Sequence, residues 1–411
     1  MSVKLTAKNV SKLFNDDDGE GARRLAAGES KEDIFKATGV TVGIDNVSFD
    51  VNEGEIFVIM GLSGSGKSTI VRTLNGLIPP TSGQIIIDNV DVASCDKETL
   101  REVRRKKITM VFQHFALFPH KTIIDNVAFG LKLKGMGKEE RHELARASLA
   151  KVGLEAYANS YPSQLSGGMQ QRVGLARGLA NDPEILLMDE PFGALDPLIR
   201  REMQDELIVL QKELKKTIIF ITHDLNEAMI LGDRIAIMKD GAFVQVGTAQ
   251  EIVSEPADDY VRAFVSDIDR SRVFKVSDIS RDAAWVKVDS TTADALGVMD
   301  KAKSDFAYVV ERGVPVGLLM RSDAMEAQRT APVRDVMYAE PPTVSEESYL
   351  NEVYGAAQAG VPMAVTDDDG KLVGVVDQEA IFEQLASETE EPPPQLAQEE
   401  AKKQAGQPAS E

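Results

Sequence analysis

The stretch Gly61-Leu62-Ser63-Gly64-Ser65-Gly66-Lys67-Ser68 constrains this chain more than any other. It fits G-x-x-x-x-G-K-[ST], a turn whose glycines bring backbone N–H groups against phosphate oxygens with no Cβ in the way. Its flanks supply the context that pattern needs. The apolar run Ile56-Phe57-Val58-Ile59-Met60 reads as a strand, and Thr69-Ile70-Val71-Arg72-Thr73-Leu74 reads as the helix that follows the turn. The motif assigns Gly61, Ser63, Gly64, Ser65, Gly66, Lys67, Ser68 and Thr69 to a nucleoside triphosphate. Lys67 reaches the outer phosphates, and the Ser68 hydroxyl sits on the Mg²⁺ that accompanies them.

Further strands alternate with helices, which predicts a parallel α/β sheet. Ile108-Thr109-Met110-Val111-Phe112 ends on Gln113, Glu184-Ile185-Leu186-Leu187-Met188 on Asp189-Glu190, and Thr217-Ile218-Ile219-Phe220-Ile221 on Thr222-His223-Asp224. Such near-continuous apolar runs suit strands buried on both faces, and ligands collect at the C-terminal ends of parallel strands. Asp189 is placed to hold Mg²⁺, Glu190 to orient or deprotonate a water, and Gln113 and His223 to reach the γ-phosphate. Phosphoryl transfer asks for this positioning and charge stabilisation rather than covalent help. Singly these residues say little; a lone histidine after a strand is more often a structural one.

At 411 residues and 43% apolar content the chain suits two or three domains with sizeable cores. One cysteine, Cys95, excludes an internal disulfide and fits a reducing compartment. No apolar run approaches the roughly 18 residues of a membrane span, and Met1-Ser2-Val3-Lys4-Leu5-Thr6 lacks a signal peptide's apolar core. A soluble, cytoplasmic protein is expected. A net charge of −20 argues against a nucleic-acid surface. The basic cluster Arg101, Arg104, Arg105, Lys106 and Lys107 reads equally as a solvated helix face or a functional patch. Residues 3–10 alternate like an edge strand, and a polar insertion, 15–38, with one short helix near 31–36, separates Phe14 from the next strand.

Near residue 268 the character changes. Residues 275–387 hold a weak repeat: 305–319 resembles 361–376, each reading as strand, turn, strand with helices at 293–303 and 322–327, or 350–359 and 378–385. From about 388 to 411 the chain is Glu, Gln, Ala and Pro, a composition that cannot bury a core and predicts a disordered acidic tail.

Leu165-Ser166-Gly167-Gly168-Met169-Gln170-Gln171-Arg172 resembles the signature of the ATP-binding cassette family, and it lies between Gln113 and Asp189 as the family's order requires. The resemblance covers residues 1 to about 267. It implies a phosphate-loop NTPase core with an antiparallel β subdomain and a helical subdomain from about 121 to 179. It also implies a head-to-tail homodimer with two ATPs between subunits. Ser166, Gly167, Gly168 and Gln170 would then bind the ATP on the partner's phosphate loop, since a serine, glycine backbone and a helix N-terminus form a second phosphate cradle. By the same resemblance Asp196 makes a dimer contact, and Ser68, Gln113 and Asp189 hold Mg²⁺. Glu190, Gln113 and His223 are catalytic, and Phe14 stacks on adenine, although Phe14 reads as well as a core aromatic. Phe115-Ala116-Leu117-Phe118 and Pro119 line the groove for a membrane-subunit helix.

Within that family the chain is similar to ATPase subunits of osmoregulatory glycine betaine/proline-type importers. The insertion ending in Thr38-Gly39-Val40-Thr41-Val42-Gly43, the segment Val103-Arg104-Arg105-Lys106-Lys107 and the run Asp196-Pro197-Leu198-Ile199-Arg200-Arg201-Glu202-Met203-Gln204-Asp205-Glu206-Leu207 carry the likeness. Residues 268–387 resemble a tandem of CBS modules, about 275–330 and 332–387. The resemblance implies an ATPase at the cytoplasmic face of the membrane, docked on permease subunits served by a substrate-binding protein or domain, without nucleic acid. It also implies CBS modules that regulate by binding a nucleotide such as cyclic di-AMP, or that only dimerise. Glu190-Pro191-Phe192-Gly193-Ala194 is closer to sugar or polyamine importers than to the Glu-Ala-Phe-Ser-Ala expected, so another solute stands as the alternative cargo.

Overall fold

The computed structural model of the chain describes residues 2–112, 116–193 and 195–386. Gln113, Phe115, Ala194 and the expected tail at 388–411 lie outside the described residues. The chain divides into two units, Met1–Ile268 and Asp269–Glu411.

The first unit is built on a six-stranded sheet in the order Ala242–Gly247, Arg234–Lys239, Ile56–Met60, Thr217–Thr222, Ile185–Asp189, Ile108–Val111. All neighbours pair in parallel except the first two. Every residue of Ile56–Met60, Ile185–Asp189 and Thr217–Thr222 is buried, as their unbroken apolar runs require of central parallel strands. The phosphate turn leaves the middle of this sheet, with Asp189 and His223 emerging from the next strands on one side.

A second, antiparallel sheet runs Thr41–Asn52, Val3–Phe14, Ser82–Ile87, Val90–Asp91. The expectation of an edge strand at 3–10 is wrong. Val3–Phe14 is paired on both sides, and its alternation marks one face buried against the core rather than a free edge. Leu5, Ala7 and Val10 of that strand join Phe57, Ile59, Ile70, Val71 and Leu74 in one core that fastens the two sheets through the phosphate-loop helix.

The insertion forms two helices, Glu20–Ala26 and Lys31–Thr38, where sequence showed only the second. The second carries familiar signals, a Ser30 N-cap and a left-handed Gly39 at its C-cap. The first has no capping side chain at its N-cap, Gly19. Instead the Asp16 carboxylate accepts from Gly21 N at 2.8 Å and Ala22 N at 2.9 Å, a cap from outside the usual spacing. Ile34 is fully buried with Leu13, Val40 and Val42, so the insertion has its own small core at the end of the Phe14 strand.

Helices Ile123–Val127, Phe129–Leu133, Lys138–Lys151 and Gly167–Ala180 form the helical part. Among the described residues no helix is long and apolar enough to cross a membrane.

The second unit repeats one plan. Trp285–Lys287 pairs in parallel with Phe306–Glu311, which turns back into Val314–Met320; Thr343–Ser345 pairs in parallel with Met363–Thr366, which turns back into Leu372–Val376. Tyr308, Val310 and Leu318 of the first copy share a core with Ala364 and Val375 of the second. The helix expected over 350–359 is shorter, a 3₁₀ turn Leu350–Glu352 followed by Tyr354–Ala357.

Candidate functional site

The phosphate turn is held open by glycine. Gly61 has φ 153° and Gly66 has φ 108°. A Cβ on Gly61 would lie 2.1 Å from Met238 O, and one on Gly66 would lie 2.4 Å from Gly43 O, so neither position admits a side chain. Helix Lys67–Leu74 starts here, and its first N–H groups face the turn. Ser63 and Gly64 are exposed, and the Ser65 hydroxyl is buried with no hydrogen-bond partner among the described residues. A backbone cradle with an uncommitted hydroxyl suits a polyphosphate.

Lys67 is buried, and its ammonium donates to Gly61 O at 2.8 Å and Leu62 O at 3.0 Å, inside the turn. Burial lowers its pKa, and the nearby Glu190 and Asp189 oppose that shift. The Ser68 hydroxyl donates to Asp189 Oδ1 at 2.9 Å. Arg72, one turn further along the helix, stands 3.5 Å from Asp189 Oδ2. Ser68 and Asp189 thus converge oxygen donors on one point beside the turn, the donor type Mg²⁺ takes. Among the described residues no group of three or more His, Cys, Asp or Glu could hold a metal alone. An ion that arrives with the nucleotide would be coordinated here by these protein oxygens and by phosphates. Bound there, it would neutralise charge on the phosphate oxygens.

Glu190 is the next residue after the Asp189 strand end. Its φ of 46° is left-handed, unusual without glycine and costing roughly 1–3 kcal/mol. The turn is enforced by Glu190 N donating to Ile221 O at 3.0 Å on the adjacent strand. It swings the carboxylate to His223, with Nδ1 and Glu190 Oε2 3.1 Å apart. His223 is 58% exposed at its side chain and Glu190 only 19%, so the pair opens to solvent from the histidine side.

The loop that carries His223 is braced. Asp224 caps the following helix by accepting from Asn226 N at 2.9 Å and Glu227 N at 3.3 Å. Arg200 holds the Asp224 carboxylate at 3.1 Å, and Thr222 donates to Glu227, whose carboxyl is raised in pKa by burial. Arg200 lies one turn into helix Pro197–Leu214, which Asp196 caps at 3.1 and 3.2 Å. Arg72, Arg200 and Asp224 were not singled out in sequence; only the fold brings them to these partners.

Phe14 ends the strand Val3–Phe14, half-buried, with Lys12 Nζ 5.1 Å from its ring centroid. A Cβ on Gly43 would lie 2.8 Å from Phe14 Cε2 and 3.3 Å from Thr69 Cγ2. The ring therefore stands beside the start of the phosphate-loop helix, at the margin of the core. The structure brings together Phe14, Gly61, Ser63, Gly64, Ser65, Gly66, Lys67, Ser68, Thr69, Asp189, Glu190 and His223.

The Leu165–Arg172 stretch stands apart. No hydrogen bond or ion pair among the described residues joins Ser166, Gly167, Gly168 or Gln170 to the phosphate turn. Ser166 caps helix Gly167–Ala180 by accepting from Met169 N at 3.4 Å. The Gln170 amide donates to Pro162 O and Leu165 O, both at 3.1 Å, and so shapes the turn before the helix. Arg177 on the same helix donates to Ala116 O at 2.7 Å, which ties it to the segment after Gln113.

Residues 44–193 match the sequence model of the family described as ABC transporter, and residues 276–330 and 333–387 match the CBS domain. The chain is 49% identical over 391 residues to the glycine betaine transport ATP-binding protein OpuAA of Bacillus subtilis strain 168, 94% of each chain being covered. It is 48% identical over 395 residues to the glycine betaine/proline betaine transport system ATP-binding protein ProV of Escherichia coli K12, covering 94% of this chain and 99% of that one. Among solved structures it is similar to the dimeric, post-hydrolysis ATP-binding cassette MJ0796 bound to ADP and Pi, with TM-score 0.50 and 38% identity over 59% of this chain and 98% of that one.

Proposed function

Because the chain belongs to the ABC transporter family as an ATP-hydrolysing subunit with paired CBS domains, we propose that it powers import of a quaternary-amine compatible solute of the glycine betaine or proline betaine type. One observation carries this reading: the match to the betaine subunits extends past the cassette across both CBS domains. In the reaction a water attacks the γ-phosphorus, Glu190 takes its proton, and the bond to the β–γ bridging oxygen breaks. Phe14 carries adenine, the 61–69 turn holds the phosphates, and Ser68 and Asp189 hold Mg²⁺. His223 and Gln113 contact the γ-phosphoryl group.

Two copies act head-to-tail, each giving Ser166, Gly167, Gly168 and Gln170 to the ATP of its partner, with Asp196 at the seam. The dimer docks on separate permease subunits at the cytoplasmic face of the membrane, with a binding protein or domain delivering the solute. The test is uptake of labelled glycine betaine by source cells at high external salt, in a strain freed of redundant importers. Replacing Glu190 with Gln is expected to remove that uptake and spare other solutes. Unchanged betaine uptake would leave the ATPase and discard the cargo, in favour of the polyamine or sugar solutes suggested by Pro191-Phe192-Gly193.

The CBS unit regulates this ATPase through a nucleotide such as cyclic di-AMP. Support comes from a cavity of about 480 Å³ that places an indole beside charge, its wall including Trp285, Lys287, Asp289, Arg312 and Leu372. Trp285 is 51% exposed, which leaves an aromatic face for a base and nearby cations for phosphate. Calorimetry on the full chain should show heat with cyclic di-AMP that is lost in Trp285→Ala; no heat would favour a dimerisation domain.

A further inference from the structure

Among the described residues the insertion 15–38 engages three of its four cations itself. Arg23 donates to Gly19 O, Arg24 pairs with Glu20 and Glu29, and Lys36 with Glu32. Lys31 has no ion-pair partner within 4.0 Å among the described residues; Asp240 and Asp45 act on it only at longer range. It is the first residue of helix Lys31–Thr38, where a positive charge opposes the helix dipole. It is also half-buried, and burial lowers its pKa. Each of these carries a cost, and none is offset within the insertion itself.

What Lys31 touches is Gly241, whose backbone in turn bonds the phosphate turn. A Cβ built on Gly241 would lie 2.5 Å from Lys31 Nζ and 3.1 Å from Gly43 O. Gly241 N donates to Ser65 O at 2.8 Å, and Gly241 O accepts from Asp45 N at 2.8 Å. A Cβ on Gly66 would lie 3.4 Å from Gly241 Cα as well as 2.4 Å from Gly43 O. Lys31, Gly241, Gly43 and the Ser65-Gly66 backbone therefore form one close-packed seam. The far end of that seam, Gly43, is the residue against which the Phe14 ring stands. The helix that bears Lys31 is pinned by the buried Ile34 to Leu13, the neighbour of Phe14.

We propose that Lys31 is a positioning residue for ATP: it braces the phosphate turn from behind through Gly241 and adds a positive charge, held in no close ion pair, to the field in which the triphosphate binds. This rests on ATP occupying the 61–69 turn and assigns the insertion a task in nucleotide affinity. The charge acts at a distance through a partly dry medium, so its effect falls on binding more than on the chemical step.

The test is ATPase kinetics of the full chain, wild type against Lys31→Met and Lys31→Arg, at low and high salt. Methionine keeps the stem and removes the charge. It is expected to raise KM for ATP about three- to tenfold while kcat falls by less than half, with less difference at high salt. Arginine is expected to restore KM to within about twofold, since it returns the charge. Lys67→Ala is the control: its loss of activity establishes ATP at the turn independently of Lys31. An unchanged KM in Lys31→Met overturns the proposal. So does an arginine variant as impaired as the methionine one with a matching fall in melting temperature, which would make Lys31 a packing residue only.

Discussion

Replacing Glu190 with Gln is expected to cut steady ATP hydrolysis by about two to four orders of magnitude while ATP still binds. The substitution is nearly isosteric. Glutamine tolerates the left-handed turn at φ 46° as well as glutamate does, and the bond from residue 190 N to Ile221 O is untouched. Its amide oxygen can still accept from His223 Nδ1, now 3.1 Å from Oε2. What is lost is the group that takes a proton from water. Affinity should not fall, because a carboxylate facing the Lys67 end of the site repels the triphosphate, and an amide does not. The check is ATP binding and single-turnover hydrolysis by the same preparation. Full-rate hydrolysis in the variant would remove Glu190 from the base role, and weakened binding would mean that the turn had shifted.

The sequence was most legible where chemistry and local geometry coincide. The strand-turn-helix at 56–74 is spelled out by an apolar run, glycines at positions with left-handed φ and a Lys-Ser pair, so the fold around it follows from neighbours in the chain. Asp189, Glu190 and His223 were legible because parallel strands end where ligands gather, and the sheet order does place their strands side by side. The strand at 3–14 was misread because alternation reports one buried face and says nothing of how many neighbours pair along the edges. The first helix of the insertion was missed because Asp16, not the N-cap residue, satisfies its N–H groups. Arg72, Arg200 and Lys31 could not have been singled out at all. Each is an ordinary cation on a helix, and its meaning comes from a partner or a seam more than 20 residues away in the chain.

The second large effect concerns Gly167. Most glycines at tight places here are explained by their own chain. A Cβ on Gly168, for example, would lie 2.7 Å from Ile199 Cγ2. At Gly167 a Cβ would meet nothing within 4 Å among the described residues, and the residue is exposed. Among the described residues nothing fills the space a side chain at 167 would take, so a substitution there probes what a second chain would bring to this face. Gly167→Asp is that substitution. An aspartate in the first turn of helix Gly167–Ala180 favours the helix dipole, so the variant should melt within a degree or two of wild type, a difference of about 0.5 kcal/mol or less. In a head-to-tail dimer the same carboxylate would meet the partner's triphosphate, and turnover should fall about a hundredfold or more. Each chain's own phosphate turn is untouched, so Kd for ATP measured on dilute monomer should stay within about twofold. In the Glu190→Gln background, ATP should drive dimer formation, and adding Gly167→Asp should abolish it, as read by sedimentation. A Kd that weakens in step with turnover would place the signature in the same chain's ATP site and remove the head-to-tail arrangement.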